Sequence, residues 1–279
     1  MKRMNCLIVG VSATFLLVAA VAWAAPRDLM VVRPGGAAPS EESQTQINRL
    51  LAELGQRAGW PAGSAKASYF NQADDAIQMI KSAKPGFVLT TPGFFLAHRE
   101  EFGLAPVNQL LVGGSDVNHY YLVAKKGGLK SIDELKGKKL AGAPLSEAAF
   151  VERVVLARKF KFGKDVTVEY LRGLTALRKL SEGGVDAVVI DDKEKEALPG
   201  LPFAGDLQVI YTSQAIPNPG LMSVKGTTKP EDAAAINKAA KGFCDAGEGK
   251  AICETYGITG FKVPPAGVFE ALIKAYQQP

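Results

Sequence analysis

From Asp28 onward, short apolar runs alternate with segments of helical spacing, and this alternation limits the fold more than any other feature of the chain. A strand that is apolar along its whole length must be covered on both faces. Helices returning between parallel strands supply that cover. The pattern is densest between Ser131 and Asp192, which opens on S-I-D-E-L-K-G-K-K-L-A-G, continues as a helix-like run and closes on L-R-K-L-S-E-G-G-V-D-A-V-V-I-D-D.

The first unit shows the logic. Leu29-Met30-Val31-Val32 reads as a buried strand and Pro34-Gly35-Gly36 breaks it. Ser40 then caps a helix whose first turn carries Glu41 and Glu42, where acidic groups complement the helix dipole. Ile47, Leu50, Leu51 and Leu54 fall on one face of it. The same reading predicts strands at 67–70, 87–89, 107–112, 119–124, 139–143, 166–171, 185–190 and 207–211. Helices are predicted at 74–81, 94–101, 147–160, 174–181, 230–243 and 268–276, with Ser131 and Ser146 as caps.

The front of the chain reads as a secretory leader. Lys2 and Arg3 precede the apolar run from Leu7 to Val21, and Ala22-Trp23-Ala24 is an A-x-A cleavage site. Cleavage after Ala24 predicts a periplasmic protein and takes two of the formal net charge of +5 with it. The remaining charge is weak and scattered, without the basic stripe or aromatic platform that nucleic-acid binding needs. Outside the leader no apolar run is long enough to span a bilayer. Cys244 and Cys253 are the cysteines that remain, and the compartment permits a disulfide between them. A bond there would stabilise by about 2–3 kcal/mol; the alternative is a pair of buried thiols.

The S-I-D-E-L-K-G-K-K-L-A-G motif, a capped helix after it and the L-x-x-L-x-x-G-x-V-D-A-V-V-I run together resemble type 2 periplasmic solute-binding proteins. The closest branch is the phosphate/phosphite/phosphonate-binding group associated with ABC transporters. The resemblance covers nearly all of the chain after the leader. It implies an α/β fold of two lobes, each a mostly parallel sheet flanked by helices, with a ligand cleft between them. Lobe 1 would comprise residues 25–123 and 217–279, lobe 2 residues 124–216, with crossings near 121–126 and 213–219. It also implies capture of a small molecule by lobe closure and delivery to a membrane transporter permease by a monomer, with no cofactor and no reaction. The same fold also serves sensory proteins that signal to a membrane kinase, oxyanion binders, and, more rarely, secreted enzymes.

In such sheets the ligand meets the C-terminal ends of the strands, where helix N-termini point. That rule selects Gly35 and Gly36 for close backbone approach, Thr90 and Thr91 for hydroxyls, Phe94 as an apolar wall, Ser146 as a hydroxyl or cap, Arg172 for a ligand carboxylate and Asp191 as an acidic contact. Tyr120 sits at the first crossing, and alternation sends either it or Tyr121 towards the cleft. The resemblance implies a hydroxyl-rich loop at 143–147, but this chain has Ala143-Pro144-Leu145-Ser146-Glu147. That departure shifts the expected ligand from phosphate or phosphonate towards a neutral, organic or partly apolar molecule, with Phe94, Phe95 and Leu145 as its apolar surroundings. No catalytic or metal signature is present in the sequence.

Overall fold

The computed structural model describes residues 27–278, so the leader and its Ala24 cleavage point lie outside the described residues. In chain order, β1 (Leu29–Val32), α1 (Glu41–Arg57), β2 (Ala67–Phe70), α2 (Ala73–Ala83), β3 (Phe87–Thr90), α3 (Pro92–Phe102), β4 (Ala105–Pro106) and β5 (Gln109–Val112) form most of the first lobe. β6 (Val117–Asn118) leads out of it. The second lobe holds β7 (Tyr120–Lys125), β8 (Lys139–Gly142), α4 (Ala148–Phe150), β9 (Thr167–Tyr170), α5 (Gly173–Ser181), β10 (Ala187–Asp191), α6 (Asp192–Ala197) and β11 (Leu207–Thr212). The chain returns through β12 (Ile216–Pro217) to β13 (Leu221–Ser223), α7 (Pro230–Ala240), α8 (Gly247–Tyr256), β14 (Ile258–Lys262) and α9 (Glu270–Gln277).

Two five-stranded sheets result, ordered β2-β1-β3-β13-β4 and β11-β7-β10-β8-β9. Each has a parallel core and an antiparallel return: β13 against β3 in the first sheet, β7 against β10 in the second. The two crossings pair with each other as the antiparallel β6–β12 ribbon. The expected first crossing at 121–126 is therefore displaced. β7, including Tyr120–Val123, is hydrogen-bonded between β10 and β11, which puts these residues in the second lobe.

Local sequence explains most elements. Ser40 caps α1 in a reciprocal box with Ser43, and the apolar face of α1 is buried as its spacing predicts. Thr91 caps α3, Pro92 fills its first position and Gly103 ends it in the left-handed region. The helix expected at 147–160 is shorter and less regular. It begins as a 3-10 turn over Ala143–Glu147, passes through α4 and ends as a π turn over Val151–Val155. Ala157 and Arg158 then adopt positive φ and stop it, with the Arg158 guanidinium donating to the carbonyl of Tyr276 at the end of α9. Ser131 stands at the N-cap of a 3-10 turn over Ile132–Leu135 without a side-chain capping bond, and Ser146 lies inside the 3-10 turn instead of capping a helix. α8 and β14 were not foreseen: Gly247, Gly249 and Gly257 dilute the apolar period of that segment, which Ile252, Cys253 and Tyr256 carry almost alone.

One buried apolar cluster crosses between the lobes. It joins Met30 and Val32 of the first sheet, Phe94 and Phe95 of α3, Phe150 of α4, Leu122 and Leu140 of the second sheet, and Phe269 and Leu272 near and on α9. The lobes are thus packed on each other along one side of the cleft.

Candidate functional site

The packed side is built from three contacts between strand-end loops of opposite lobes. Gly35, at φ +74°, turns the chain after β1, and a Cβ there would lie 2.5 Å from Ser146 Oγ. Ser146 Oγ donates to the carbonyl of Pro34 at 3.0 Å, and the Tyr170 hydroxyl donates to the carbonyl of Gly35 at 2.8 Å. The glycine loop therefore receives the second lobe through its carbonyls, where a ligand-facing cradle of N–H groups was expected. Gly36 is tight for a different reason: a Cβ there would meet the Tyr69 hydroxyl, which donates to Ala37 O.

The third contact is a hydrogen bond to a carboxyl group. Thr91 Oγ1 donates to Glu147 Oε1 at 2.7 Å while accepting from the Phe94 N–H at the start of α3. The nearby Phe94 N–H also acts on the Glu147 carboxyl and lowers its pKa. Glu147 is half-buried as a residue, but its carboxyl end is enclosed. Burial raises its pKa to about 7, with the Thr91 and Phe94 bonds pulling the other way. Gly93 makes the approach possible, because a Cβ would fall 2.6 Å from the carboxyl carbon.

On the hinge side the cleft stays open as a cavity of about 780 Å³. This is the size of an organic-ligand site. Its apolar walls come from α1 (Ile47, Leu50), β3 (Leu89), β5 (Leu110) and the unforeseen α8–β14 segment (Ile252, Phe261). Polar groups gather at the lobe boundary: Arg33, Thr90, Asn118, Asp191 and Asn218. Arg33 is exposed and enters no ion pair among the described residues. Thr90 is 7% exposed, and its hydroxyl has no hydrogen-bond partner.

Of the residues expected at the site, Thr90, Thr91 and Asp191 border this cavity. Asp191 also caps α6 in a reciprocal box with Glu194. Burial, then the neighbouring Asp191, raises the Glu194 pKa to about 7. Asp192, the neighbour of Asp191, accepts from the His119 N–H and the Tyr121 hydroxyl. Gly35, Gly36 and Ser146 belong to the packed side. Phe94, Phe95 and Leu145 are core residues at 2%, 2% and 6% exposure, so the apolar wall assigned to them is corrected to the α1, β5 and α8–β14 residues. Tyr120 is buried edge-on to Phe150, which pushes its hydroxyl pKa upwards. Arg172 is exposed at the start of α5 and shares with Arg33 an electrostatic influence on Tyr69. Arg33 was missed although it directly follows β1, where the strand-end rule points.

The Cys244–Cys253 disulfide is present, with Cα atoms 5.6 Å apart, and Cys253 borders the cavity. The described residues contain no cluster of His, Cys, Asp or Glu able to hold a metal ion, and no helix among them is long and apolar enough to cross a membrane.

A family model described as ABC transporter, phosphonate, periplasmic substrate-binding protein matches residues 36–265. The chain belongs to this family. It is a periplasmic substrate-binding protein with the type 2 two-lobe fold, and a small-molecule ligand and a membrane permease come with that family. No curated protein matches it by sequence. Among solved structures, XAC2383 from Xanthomonas citri bound to ATP superposes with a TM-score of 0.73 at 14% identity, covering 90% of this chain and 97% of that one. A binding component of an ABC phosphonate transporter from Pseudomonas aeruginosa gives 0.64 at 14% identity, covering 90% and 86%. PhnD1 from Prochlorococcus marinus in complex with methylphosphonate gives 0.63 at 11% identity, covering 90% and 97%. At these identities the likeness concerns the fold.

Proposed function

We propose that this substrate-binding protein carries a partly apolar organic solute in the hinge-side cavity and presents it to its permease without transforming it. One observation carries the reading: the open volume of the cleft is walled by Ile47, Leu50, Leu89, Leu110, Ile252 and Phe261, with polar groups such as Ser43, Tyr69 and Thr259 interspersed and others gathered at the lobe boundary. Apolar burial there supplies affinity, while Arg33, Thr90 and Asp191 orient a polar end. The loop at 143–147, by contrast, spends its hydroxyl on Pro34 O and its carboxylate on Thr91.

The β6–β12 ribbon is the proposed hinge, so that lobe 1 comprises the residues up to 118 and from 217 onward, and lobe 2 those between. The mature protein, starting at Ala25, works as a monomer on this reading. Native mass spectrometry of protein expressed into the periplasm tests the proposal. The expected result is a stoichiometric organic adduct. Tight methylphosphonate binding that is lost in Ser146→Ala, with no organic adduct, would replace this reading with a phosphonate carrier.

A further inference from the structure

A helix N-terminus with a free hydroxyl beside it is a place where an anion is stabilised, because unpaired N–H groups and the helix dipole both point at it. The start of α3 is such a place, at the C-terminal end of a central strand and facing the cleft. It is already filled. The filling group is the Glu147 carboxyl from the opposite lobe, held by the Thr91 hydroxyl over a glycine whose missing Cβ gives it room.

We propose that Glu147 is a specificity-determining residue: its carboxyl group, supplied from the second lobe, occupies the position at the start of α3 that a ligand oxyanion would otherwise take. The inference rests on the cleft being the ligand site and names what that site rejects.

Three observations support it. The carboxyl makes no ion pair with any Lys, Arg or His among the described residues, and its hydrogen-bond partner is one that would serve an oxyanion, the Thr91 hydroxyl at the start of α3. Its charge raises the hydroxyl pKa of Tyr120 on β7 and of Tyr276 on α9, and neither of these neighbours is a cation. The position is also shaped to admit the group, because a Cβ on Gly93 would lie 2.6 Å from the Glu147 carboxyl carbon. A purely structural bond between lobes has no need of an anion position. A phosphoryl ligand would have to displace Glu147 or share the position with it, and two negative groups within contact of each other repel strongly.

The test is isothermal titration of the mature protein with inorganic phosphate and with methylphosphonate at pH 8, above the pKa of about 7 that burial gives Glu147. Glu147→Ala vacates the position. Glu147→Ser is a second vacating variant, with circular dichroism confirming that each is folded. The expected result is at least tenfold tighter anion binding than wild type in a folded vacating variant. Adding Thr91→Val abolishes the gain, and Glu147→Gln, which leaves the position filled, stays within threefold of wild type. Anion binding by wild type as tight as by the vacating variants, or a gain that survives Thr91→Val, overturns the proposal. The two readings fail separately. Loss of the organic adduct from wild type would refute the cavity reading alone. An unchanged anion affinity on vacating Glu147 would refute the role of Glu147 alone.

Discussion

The two ends of the cleft solve the same physical problem in opposite ways. At the α3 end, the strand-end loops of both lobes satisfy each other: Ser146 on Pro34, Tyr170 on Gly35, Glu147 on Thr91. At the hinge end, Arg33 and the Thr90 hydroxyl have no described partner and a cavity of about 780 Å³ remains. A closed α/β cleft holds ligand only where its strand-end donors are left unspent. The contrast supports the proposal of recognition at the hinge end, although the glycine and hydroxyl signals of the sequence lie mostly at the other.

The largest expected effect breaks the filled end by pH. In the closed form burial raises the Glu147 pKa from the ordinary 4.5 to about 7, whereas opening returns the carboxyl to water. Below about pH 4.5 the group is protonated in both forms and closure carries no penalty. The penalty grows as pH rises through this window and reaches about 3 kcal/mol above pH 7. Ligand-stripped protein should be more compact at pH 5 than at pH 8 by small-angle scattering, and Glu147→Gln should remove that difference. Glu194, which titrates in the same range within the second lobe, is unchanged in the variant and serves as its internal control.

The next effect acts on the open end. The Cys244–Cys253 bond ties down α8, a wall of the cavity. Replacing both cysteines with serine should cost about 2–3 kcal/mol of stability, read by denaturant unfolding. Labelling of the unfolded, non-reduced protein should find no free thiol, and full labelling of both cysteines would refute the bond. Smaller again is Leu110→Trp, at a half-buried wall position on β5. Filling the cavity there should weaken the organic adduct at least tenfold and leave the unfolding midpoint nearly unchanged. The smallest effects return to the filled end. Ser146→Ala and Tyr170→Phe should each loosen closure by about 1 kcal/mol, the worth of one hydrogen bond.

The sheets were legible in the sequence because strand-forming runs such as Leu29–Val32 and the stretch 187–190 are apolar throughout and bounded by polar or turn-forming residues. The helix cap at Ser40 was legible for an equally local reason. The site was less so. Ser146 and Glu147 look like a helix start, and only the opposing lobe, more than fifty residues away in sequence at Thr91 and more than a hundred at Pro34, gives them their partners. Phe94 and Phe95 carry the right chemistry for an apolar wall, yet α3 turns them into the core that joins the lobes. The true wall includes α8 and β14, whose glycines blur any period.

The most direct measurement of which end binds is hydrogen exchange on protein isolated with its periplasmic ligand, compared with the same protein stripped of it. The account predicts that the ligand protects 247–262 and 109–112, the walls of the hinge-side cavity, and leaves 143–150 unchanged. Protection confined to 143–150, with 247–262 unaffected, would contradict it.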